Sequence, residues 1–359
     1  MATPVTVTYD DLAGGRVDSN AIESAFGPDG LGIIAVRGVP GIVEQRGALL
    51  PLIATFAALP DAVKDKYVDV VSTYNIGWSH GREAMSTGKP DLAKGSYYFN
   101  AVADRPVDDD EAVRQWPTFC TPNVWPDEEL PDLRHAAMGL ARTIIDVGAL
   151  VAAACDKLTE SRAPGIEHGK LERIVRQSRV AKGRLLHYFA HGAGASDGAA
   201  ACGWHNDHST LTGLVPNMYI SSQGAIVDCP DPDAGLYIQG RKRGSPMVKV
   251  AIPADCIAFQ VGEAAMIHSG GVLVATPHLV QGIRPEYGAR GITRETLAVF
   301  LEPEWDEIMN VPAAVDPADL LASPAARDLP PGVPSLASRW APGDTFGTFT
   351  TKTVAAFYS

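Results

Sequence analysis

Two residues near the middle of the chain, His205 and Asp207, are of types that together bind transition metals. The run that follows them, Ser-Thr-Leu-Thr, favours a β-strand. Alternate side chains of a strand point to one face, so the imidazole and the carboxylate can address one point in space. They would supply two of the three ligands of the two-His, one-carboxylate site that holds non-haem Fe(II) and leaves coordination positions open. Taken alone, the pair is also typical of an exposed polar strand.

The third ligand must come from elsewhere, and His278 is the best candidate because it lies in a later β-type run, Val-Ala-Thr-Pro-His-Leu-Val. Two neutral imidazoles and one carboxylate leave a bound Fe(II) with net positive charge, which suits an anionic chelating co-substrate. A helical zinc site built from His205 and His208 is the alternative. The β-favouring residues after His208 argue against a helix there.

An arginine and a threonine downstream of His278 are suited to bind an anion. Arg294 and Thr296 begin a β-type run and share a face if that run is a strand. An inward-pointing arginine is costly unless it meets an anion. Its guanidinium can hold a carboxylate through two hydrogen bonds, and the threonine hydroxyl can add another. The alternative is that Arg294 lies at a strand start and faces water.

The elements that must position these residues are mostly strands from Val180 onward. Short apolar runs separated by Gly, Pro or Asp clusters indicate an all-β barrel or jelly roll. The runs are Arg184–Phe189, Thr210–Ser221, Gly235–Ile238, Met247–Ile252, Ile257–Val261, Val272–Ala275 and Thr296–Leu301.

The part before Val180 is predicted to mix helices and strands. Leu31–Val36 predicts a buried strand, and Ile42–Leu59 and Asp61–Tyr67 predict helices. Residues 72–126 predict long loops with short strands. The clearest helix is Pro131–Thr159, whose apolar residues recur every three or four positions and form one stripe. We expect this helix to pack against the sheet and to take no part in chemistry.

Composition argues against several classes of function. The chain has 359 residues, and 30 basic against 42 acidic residues give a net charge of −12, which argues against a nucleic-acid binder. The 35 Gly and 27 Pro are spread along the chain and indicate many turns. The five cysteines contain no CxxC pair, so we expect no disulfide framework, no structural zinc site, and a reducing, cytoplasmic location. Neither a secretory signal nor a membrane span is expected.

Taken together, the motifs resemble the isopenicillin N synthase-like branch of the Fe(II)- and 2-oxoglutarate-dependent dioxygenases, nearly end to end. His205-Asn206-Asp207 resembles the family's His-x-Asp motif, and His278-Leu279-Val280 its distal-histidine motif. Arg294-Glu295-Thr296 resembles its Arg-x-Ser motif, with Thr in place of Ser. Further resemblance lies in residues 32–40, 58–67 and 123–126.

The resemblance implies an α+β fold with a mainly β core: a double-stranded β-helix, or jelly roll, with flanking N-terminal helices and a long spine helix. It implies one structural unit in four segments. These are an N-terminal helix and loop region (1–126), the spine helix and connector (127–179), the catalytic jelly roll (180–302) and a C-terminal tail (303–359). The substrate pocket is expected between the barrel mouth, the N-terminal loops and the C-terminal tail. Candidate lining residues, for each of which a core or surface position is the alternative, are Arg82, Tyr97, Tyr98, Phe99, Trp204 and Phe300.

The resemblance also implies an activity. Iron would be held by His205, Asp207 and His278, and 2-oxoglutarate would chelate it with its far carboxylate on Arg294 and Thr296. O2 would take the remaining position, with ascorbate as a supporting reductant. An unidentified small molecule would be hydroxylated, desaturated or ring-closed while 2-oxoglutarate becomes succinate and CO2. The substrate and the oligomeric state stay open.

The chain departs from the family on one strand. Many members have Asn-Tyr-Tyr-Pro where this chain has His187-Tyr188-Phe189-Ala190. The family's second tyrosine commonly helps to hold the co-substrate, and Phe189 cannot donate that hydrogen bond. The contact is therefore lost, or His187 or Tyr188 provides it. The basic run at 241–243 predicts a solvated hairpin turn, with a substrate-facing loop as the alternative.

Three other functions are weighed against this one. An Fe(II) oxidase of the same fold would act without 2-oxoglutarate; Arg294 and Thr296 argue against it, whereas Phe189 favours it. A non-catalytic jelly-roll protein that binds a ligand is disfavoured by the complete set of metal ligands. A zinc hydrolase is disfavoured because no general base can be named from the sequence.

Overall fold

A computed structural model describes residues 2–82, 90–163, 165–190, 200–240, 246–288 and 291–358. The basic run at 241–243 lies outside these ranges, so its hairpin turn stays a prediction.

Fourteen strands in the described ranges form two sheets. They are β1 (Val5–Thr8), β2 (Ile33–Arg37), β3 (Gly77–His80), β4 (Lys94–Asn100), β5 (Lys182–Tyr188), β6 (Ala200–His205), β7 (Leu211–Leu214), β8 (Met218–Ile220), β9 (Ile226–Val227), β10 (Gly235–Ile238), β11 (Val248–Val250), β12 (Cys256–Val261), β13 (His278–Gln281) and β14 (Thr293–Leu301). The larger sheet has the order β1-β2-β12-β7-β14-β5-β4-β3, with β8 paired to β14 and β9 to β8. The smaller sheet has the order β11-β10-β13-β6.

Thirteen α-helices in the same ranges surround the sheets. They are α1 (Tyr9–Ala13), α2 (Ser19–Phe26), α3 (Ile42–Ala57), α4 (Asp61–Lys64), α5 (Asp110–Gln115), α6 (Pro117–Cys120), α7 (Pro131–Arg162), α8 (Lys170–Gln177), α9 (Glu263–His268), α10 (Pro285–Gly288), α11 (Pro317–Ala322), α12 (Pro324–Arg327) and α13 (Phe346–Tyr358). Short 3₁₀ turns follow α4, at Asp65–Tyr67, and precede α13, at Leu336–Ser338.

The two sheets face each other across an apolar contact. Ile33 and Ala258 of the larger sheet form a buried cluster with Leu236, Ile238 and Val250 of the smaller one. This arrangement, a β core of two facing sheets with helices around it, fits the predicted jelly roll.

The predicted spine helix is α7, and its apolar stripe is buried throughout. The buried residues at the predicted positions are Leu133, Ala137, Leu140, Ile144, Val147, Val151, Ala154 and Leu158. The helix packs against the larger sheet at β7, β12 and β14. By length and composition α7 could cross a membrane, but more than half of its most apolar stretch is buried within the protein. Packing against the sheet therefore accounts for its apolar character.

One hydrophobic core joins the N-terminal helices, the spine helix and the larger sheet. It contains Ile22 of α2, Phe56 of α3, Leu140 of α7, Leu185 of β5 and Leu297 of β14. A second core packs the C-terminal tail on α9: Met266 and Ile267 contact a cluster that includes Trp340, Phe346 and Phe349. The helices before and after the sheets therefore pack on them through these two cores.

Most of the predicted elements agree with the structure, and one strand prediction is wrong. The run at Val272–Ala275 forms no strand; instead the Val274 N–H donates to the Phe26 carbonyl oxygen at 2.8 Å. The run at Thr210–Ser221 forms two strands, β7 and β8, because Pro216 cannot donate a ladder hydrogen bond. The loop-rich stretch at 72–126 contains α5 and α6 beside its two strands. All five cysteines are free thiols.

The close packing of α7 on the sheet depends on glycine. A Cβ at Gly148 would lie 2.3 Å from Leu301 Cδ1 and 3.1 Å from Phe259 Cε1, both in the core. We expect Gly148→Ala to lower the free energy of unfolding by about 1–3 kcal/mol, because the helix must move off the sheet. Gly139 is exposed on the same helix and a Cβ there meets nothing within 4 Å. Gly139→Ala is the matched control and should raise stability by up to about 1 kcal/mol, through helix propensity. Chemical denaturation of both variants measures the difference, and equal effects would show that α7 does not pack as described.

Candidate metal centre and its cavity

The three predicted metal ligands meet at one point between two strand ends. His205 is the last residue of β6 and His278 the first of β13, and the two are directly paired in the sheet. Asp207 lies two residues beyond β6, so it is not on the strand as predicted, yet it reaches the same point. Its Oδ1 is 3.7 Å from the Nε2 of each histidine. Within the described ranges this is the only group of three or more His, Cys, Asp or Glu side chains close enough to hold a metal ion.

Backbone carbonyls fix the orientation of both imidazoles. The Nδ1 of His205 lies 2.8 Å from the Gly203 oxygen, and the Nδ1 of His278 lies 3.2 Å from the Thr276 oxygen. Each Nδ1 can donate to its carbonyl, which leaves the Nε2 lone pair free to bind a metal. Asp207 and His278 are buried, whereas His205 is partly exposed. The site is thus a pocket with one open side.

The charges of the three ligands are coupled. Burial works to raise the pKa of Asp207, but the two nearby histidines outweigh it and hold that pKa below its usual value. Burial and repulsion from His205 lower the pKa of His278 to about 4. The pKa of His205 is raised to about 9: burial opposes this, and the charges of Cys202 and Asp207 outweigh burial. Asp207 and His278 are therefore ready to bind a cation at neutral pH, and a metal ion must displace a proton from His205.

The predicted anion site is formed by buried residues of β14. Arg294 is only 4% exposed and Thr296 8% exposed, so the alternative in which Arg294 faces water is wrong. The Arg294 guanidinium lies over the Tyr188 ring, 4.5 Å from its centroid, and its Nη2 donates to Asn217 Oδ1 at 2.8 Å. Its Nε and Nη1 have no hydrogen-bond partner among the described residues. Two unsatisfied donors on a buried cation favour a bound carboxylate.

The metal ligands and the anion site share one cavity. A space of about 440 Å³ lies between the two sheets, and the three metal ligands, Arg294 and Thr296 all line it. Its remaining walls are largely apolar and include Leu186, Leu214, Leu236, Val280, Ala298 and Phe300. A ligand in this cavity can therefore contact both Arg294 and a metal ion held by the three ligands.

The two residues predicted to replace the family tyrosine lie on opposite faces of β5. Tyr188 pairs with Arg294 and lines the cavity. His187 pairs with Glu295 and points away from the cavity, with its Nδ1 2.9 Å from Glu295 Oε1. Phe189 lies beside His187, with ring centroids 4.5 Å apart. Strand alternation thus corrects the prediction for His187: this side chain is bound by a glutamate on the far side of the sheet.

Several cavity residues did not emerge from the sequence. Arg184 of β5 lines the cavity, donates from Nε to Ser96 Oγ at 3.0 Å and stacks on Tyr98. Arg184 alternates with Leu186 and Tyr188 along β5. Strand alternation, which predicts the inward position of Arg294, therefore also predicts that of Arg184. Asn217 and Arg46 also line the cavity; one follows Pro216 between two strands and the other comes from α3, and no sequence spacing links them to the site.

The six candidate pocket residues divide between different places. Only Phe300 lines the cavity that holds the metal ligands. Tyr97 and Phe99 are fully buried in the core, and Tyr98 contacts Arg184. Trp204 lines a larger space of about 760 Å³ between the smaller sheet and the C-terminal tail, which is lined by none of the three metal ligands. Arg82 stacks on Tyr74 away from both spaces.

Comparison with solved structures reveals the same fold in oxygenases. A 2OG-Fe(II) oxygenase family protein of Caulobacter crescentus superposes with a TM-score of 0.68 at 19% identity, over 98% of this chain and 97% of that chain. A full-length Neurospora crassa protein in complex with α-ketoglutarate gives 0.67 at 18% identity, over 98% and 95%. The Arabidopsis thaliana dioxygenase for auxin oxidation 1, in a binary complex with 2-oxoglutarate, gives 0.60 at 16% identity, over 89% and 99%.

Sequence comparison adds nothing to this likeness. No protein-family model matches the chain, and no curated protein matches it. At these levels of identity the structures establish a shared fold. A shared fold does not imply a shared activity, which depends on the residues of the cavity.

The geometry predicts that the purified protein binds one divalent transition-metal ion per chain. Asp207→Ala should abolish this binding, because it removes the only carboxylate of the group. His208→Gln is the matched control: His208 is adjacent in sequence but packs against the Phe346 ring, 5.6 Å between centroids. Anaerobic titration with Fe(II) measures both, and binding that survives in Asp207→Ala would show that the ion sits elsewhere.

Proposed function

We propose that this chain, which has the fold of the 2-oxoglutarate- and Fe(II)-dependent oxygenases, is itself such an enzyme and oxidises a small molecule. The observation that carries the proposal is that His205, Asp207, His278 and the buried Arg294 line one cavity between the two sheets. The two unpartnered donors of the buried Arg294 match the far carboxylate of a dicarboxylic acid. We take the fold to be a double-stranded β-helix, as its two facing sheets and its structural relatives suggest.

The residues present fit an iron ion. Two imidazole nitrogens and one carboxylate oxygen, all within 4.8 Å of one another, form the donor set that suits non-haem Fe(II). When bound, Fe(II) would supply the oxidation chemistry that couples O2 to the conversion of 2-oxoglutarate into succinate and CO2. His205, Asp207 and His278 would hold the ion.

The protein contributes binding and orientation. Arg294 would hold the far carboxylate of 2-oxoglutarate with Nε and Nη1, while Asn217 fixes its Nη2. The Tyr188 ring supports the guanidinium from one side. Thr296 lines the cavity, but its Oγ1 donates to the Val215 carbonyl at 3.2 Å, so this hydroxyl would have to rotate to donate to the co-substrate. The apolar walls limit water, which strengthens these charge interactions.

The substrate would occupy the same cavity as the metal ligands and Arg294. Arg184 and Phe300 also line this cavity and offer a cation and an aromatic ring. Related structures hold small molecules: one structure of the Neurospora crassa protein is a complex with α-ketoglutarate and thymine. The oxidation of the small-molecule substrate of this chain would be a hydroxylation, a desaturation or a ring closure. The odd number of cysteines and the lack of a CxxC pair in the sequence favour a reducing compartment such as the cytoplasm.

The oxidase that acts without 2-oxoglutarate is less favoured by the structure. Phe189 cannot replace the family tyrosine, but Tyr188 lies at the cavity beside Arg294. In a non-catalytic ligand-binding protein, His205, Asp207 and His278 would have no role in catalysis. A succinate assay distinguishes these possibilities. We expect slow, Fe(II)-dependent conversion of 2-oxoglutarate to succinate in the absence of the substrate. Metal binding with no such conversion would favour the oxidase, and the absence of both would favour the binding protein.

Removal of the Arg294 charge should weaken co-substrate binding most. Arg294→Met keeps most of the aliphatic stem and removes the guanidinium, and we expect the KM for 2-oxoglutarate to rise about 100-fold, as two charge-assisted hydrogen bonds are lost. Thr293→Val is the control, because Thr293 lies on the opposite face of the same strand and its Oγ1 donates to the Ile220 carbonyl. Steady-state succinate assays measure both. A wild-type KM in Arg294→Met would refute the assigned role.

The two faces of β5 can be tested against each other. Tyr188→Phe keeps the ring under Arg294 and removes the hydroxyl; we expect the KM for 2-oxoglutarate to rise about 5-fold, the value of one ordinary hydrogen bond. His187→Gln retains a donor for Glu295 and should leave the KM unchanged. If His187→Gln raised the KM and Tyr188→Phe did not, the assignment of the two faces would be reversed.

A further inference from the structure

The residue between two metal ligands belongs to a buried polar chain that leads to the C-terminal tail. Asn206 is 4% exposed and points away from the metal side of its loop, and its Nδ2 donates to Glu263 Oε1 at 2.9 Å. Glu263, at the start of α9, is fully buried. Its two carboxylate oxygens accept from Nη1 and Nη2 of Arg339, both at 2.7 Å. Arg339 is 1% exposed and comes from the tail.

The backbone of the same loop is held by the first turn of α9. The Glu263 N–H donates to the Asp207 carbonyl at 2.8 Å, and the flanking N–H groups of Gly262 and Ala264 donate to the carbonyls of Thr210 and Ser209. Gly262 permits this approach, because a Cβ there would lie 2.0 Å from the Ser209 oxygen. The loop that carries Asp207 is therefore bound to α9 by both backbone and side-chain hydrogen bonds.

The tail end of the chain is equally well anchored. Arg339 also donates to the Pro334 carbonyl at 3.1 Å and to Thr353 Oγ1 at 3.3 Å, and its guanidinium lies 5.8 Å from the centroid of the Phe349 ring. A buried ion pair is weak evidence of stability, since replacing both partners by apolar residues is often neutral. Such a pair does fix geometry, because its hydrogen bonds are directional.

We propose that Asn206, Glu263 and Arg339 are positioning residues that hold the Asp207 loop in the geometry needed to bind Fe(II), so that the C-terminal tail sets the metal affinity. The proposal rests on the function proposed above. Groups that orient metal ligands typically change metal affinity about 10–100-fold when mutated, which is the scale expected here.

Asn206→Leu tests the link between the loop and the ion pair. Leucine matches asparagine in shape and leaves Glu263 with both of its bonds to Arg339. We expect this variant to fold, with thermal stability close to the wild type, and its Kd for Fe(II) to rise about 10-fold or more. The Kd is measured by anaerobic competition with a chelator and needs no enzyme turnover. Thr353→Val, which contacts Arg339 but not Glu263, is the control and should keep the wild-type Kd.

The double variant Glu263→Leu/Arg339→Leu tests the ion pair itself. It leaves no unpaired buried charge, and we expect a stable protein with a Kd for Fe(II) raised as in Asn206→Leu. Unchanged Fe(II) affinity in Asn206→Leu overturns the inference while leaving the proposed function intact, and so does lower thermal stability with unchanged affinity. If the double variant fails to fold, Asn206→Leu alone decides. Wild-type protein that binds no Fe(II) would instead contradict the proposed function.

Discussion

The site depends on one buried carboxylate placed between two imidazoles. Asp207 Oδ1 lies 3.7 Å from the Nε2 atoms of both His205 and His278. A buried carboxylate costs free energy unless a cation is paired with it. The fold provides this arrangement by pairing the ends of β6 and β13 directly. The loop after β6 then returns the carboxylate to the pair. The other residues of the cavity surround the place where the Asp207 carboxylate would bind a metal cation.

Arg294 adds a second positive group to the cavity that contains the metal ligands. Arg294 is buried, supported by the Tyr188 ring and fixed by Asn217, with two donors unsatisfied among the described residues. A cation site and a cationic side chain within one 440 Å³ cavity match a ligand that is anionic at both ends. The protein as a whole carries a net charge of −12, so this positive character is local.

Much of this could be predicted from the sequence, because short motifs carry strong constraints. Strand alternation puts Arg294 and Thr296 on one face, and periodicity identifies the spine helix with its buried stripe. The same alternation places Tyr188 and His187 on opposite faces of their strand. Alignment with the family's tyrosine motif instead makes the two residues look like equivalent candidates. Val272–Ala275 is predicted as a strand because an apolar run resembles one. Its backbone instead contacts the Phe26 carbonyl, a long-range partner that no local pattern reveals.

The interactions between the C-terminal tail and the loop that carries Asp207 could not be predicted from the sequence, because Arg339 contacts Glu263 only in the folded chain.

The proposal that one cavity binds both a metal ion and a dicarboxylate can be tested by anaerobic calorimetric titration with 2-oxoglutarate, with and without Fe(II). We expect one 2-oxoglutarate to bind per chain, more tightly when Fe(II) is present. Glutarate, which lacks the chelating 2-oxo group, should gain nothing from the metal. Equal binding of the two acids in the presence of Fe(II), or no binding of either, would contradict the proposal.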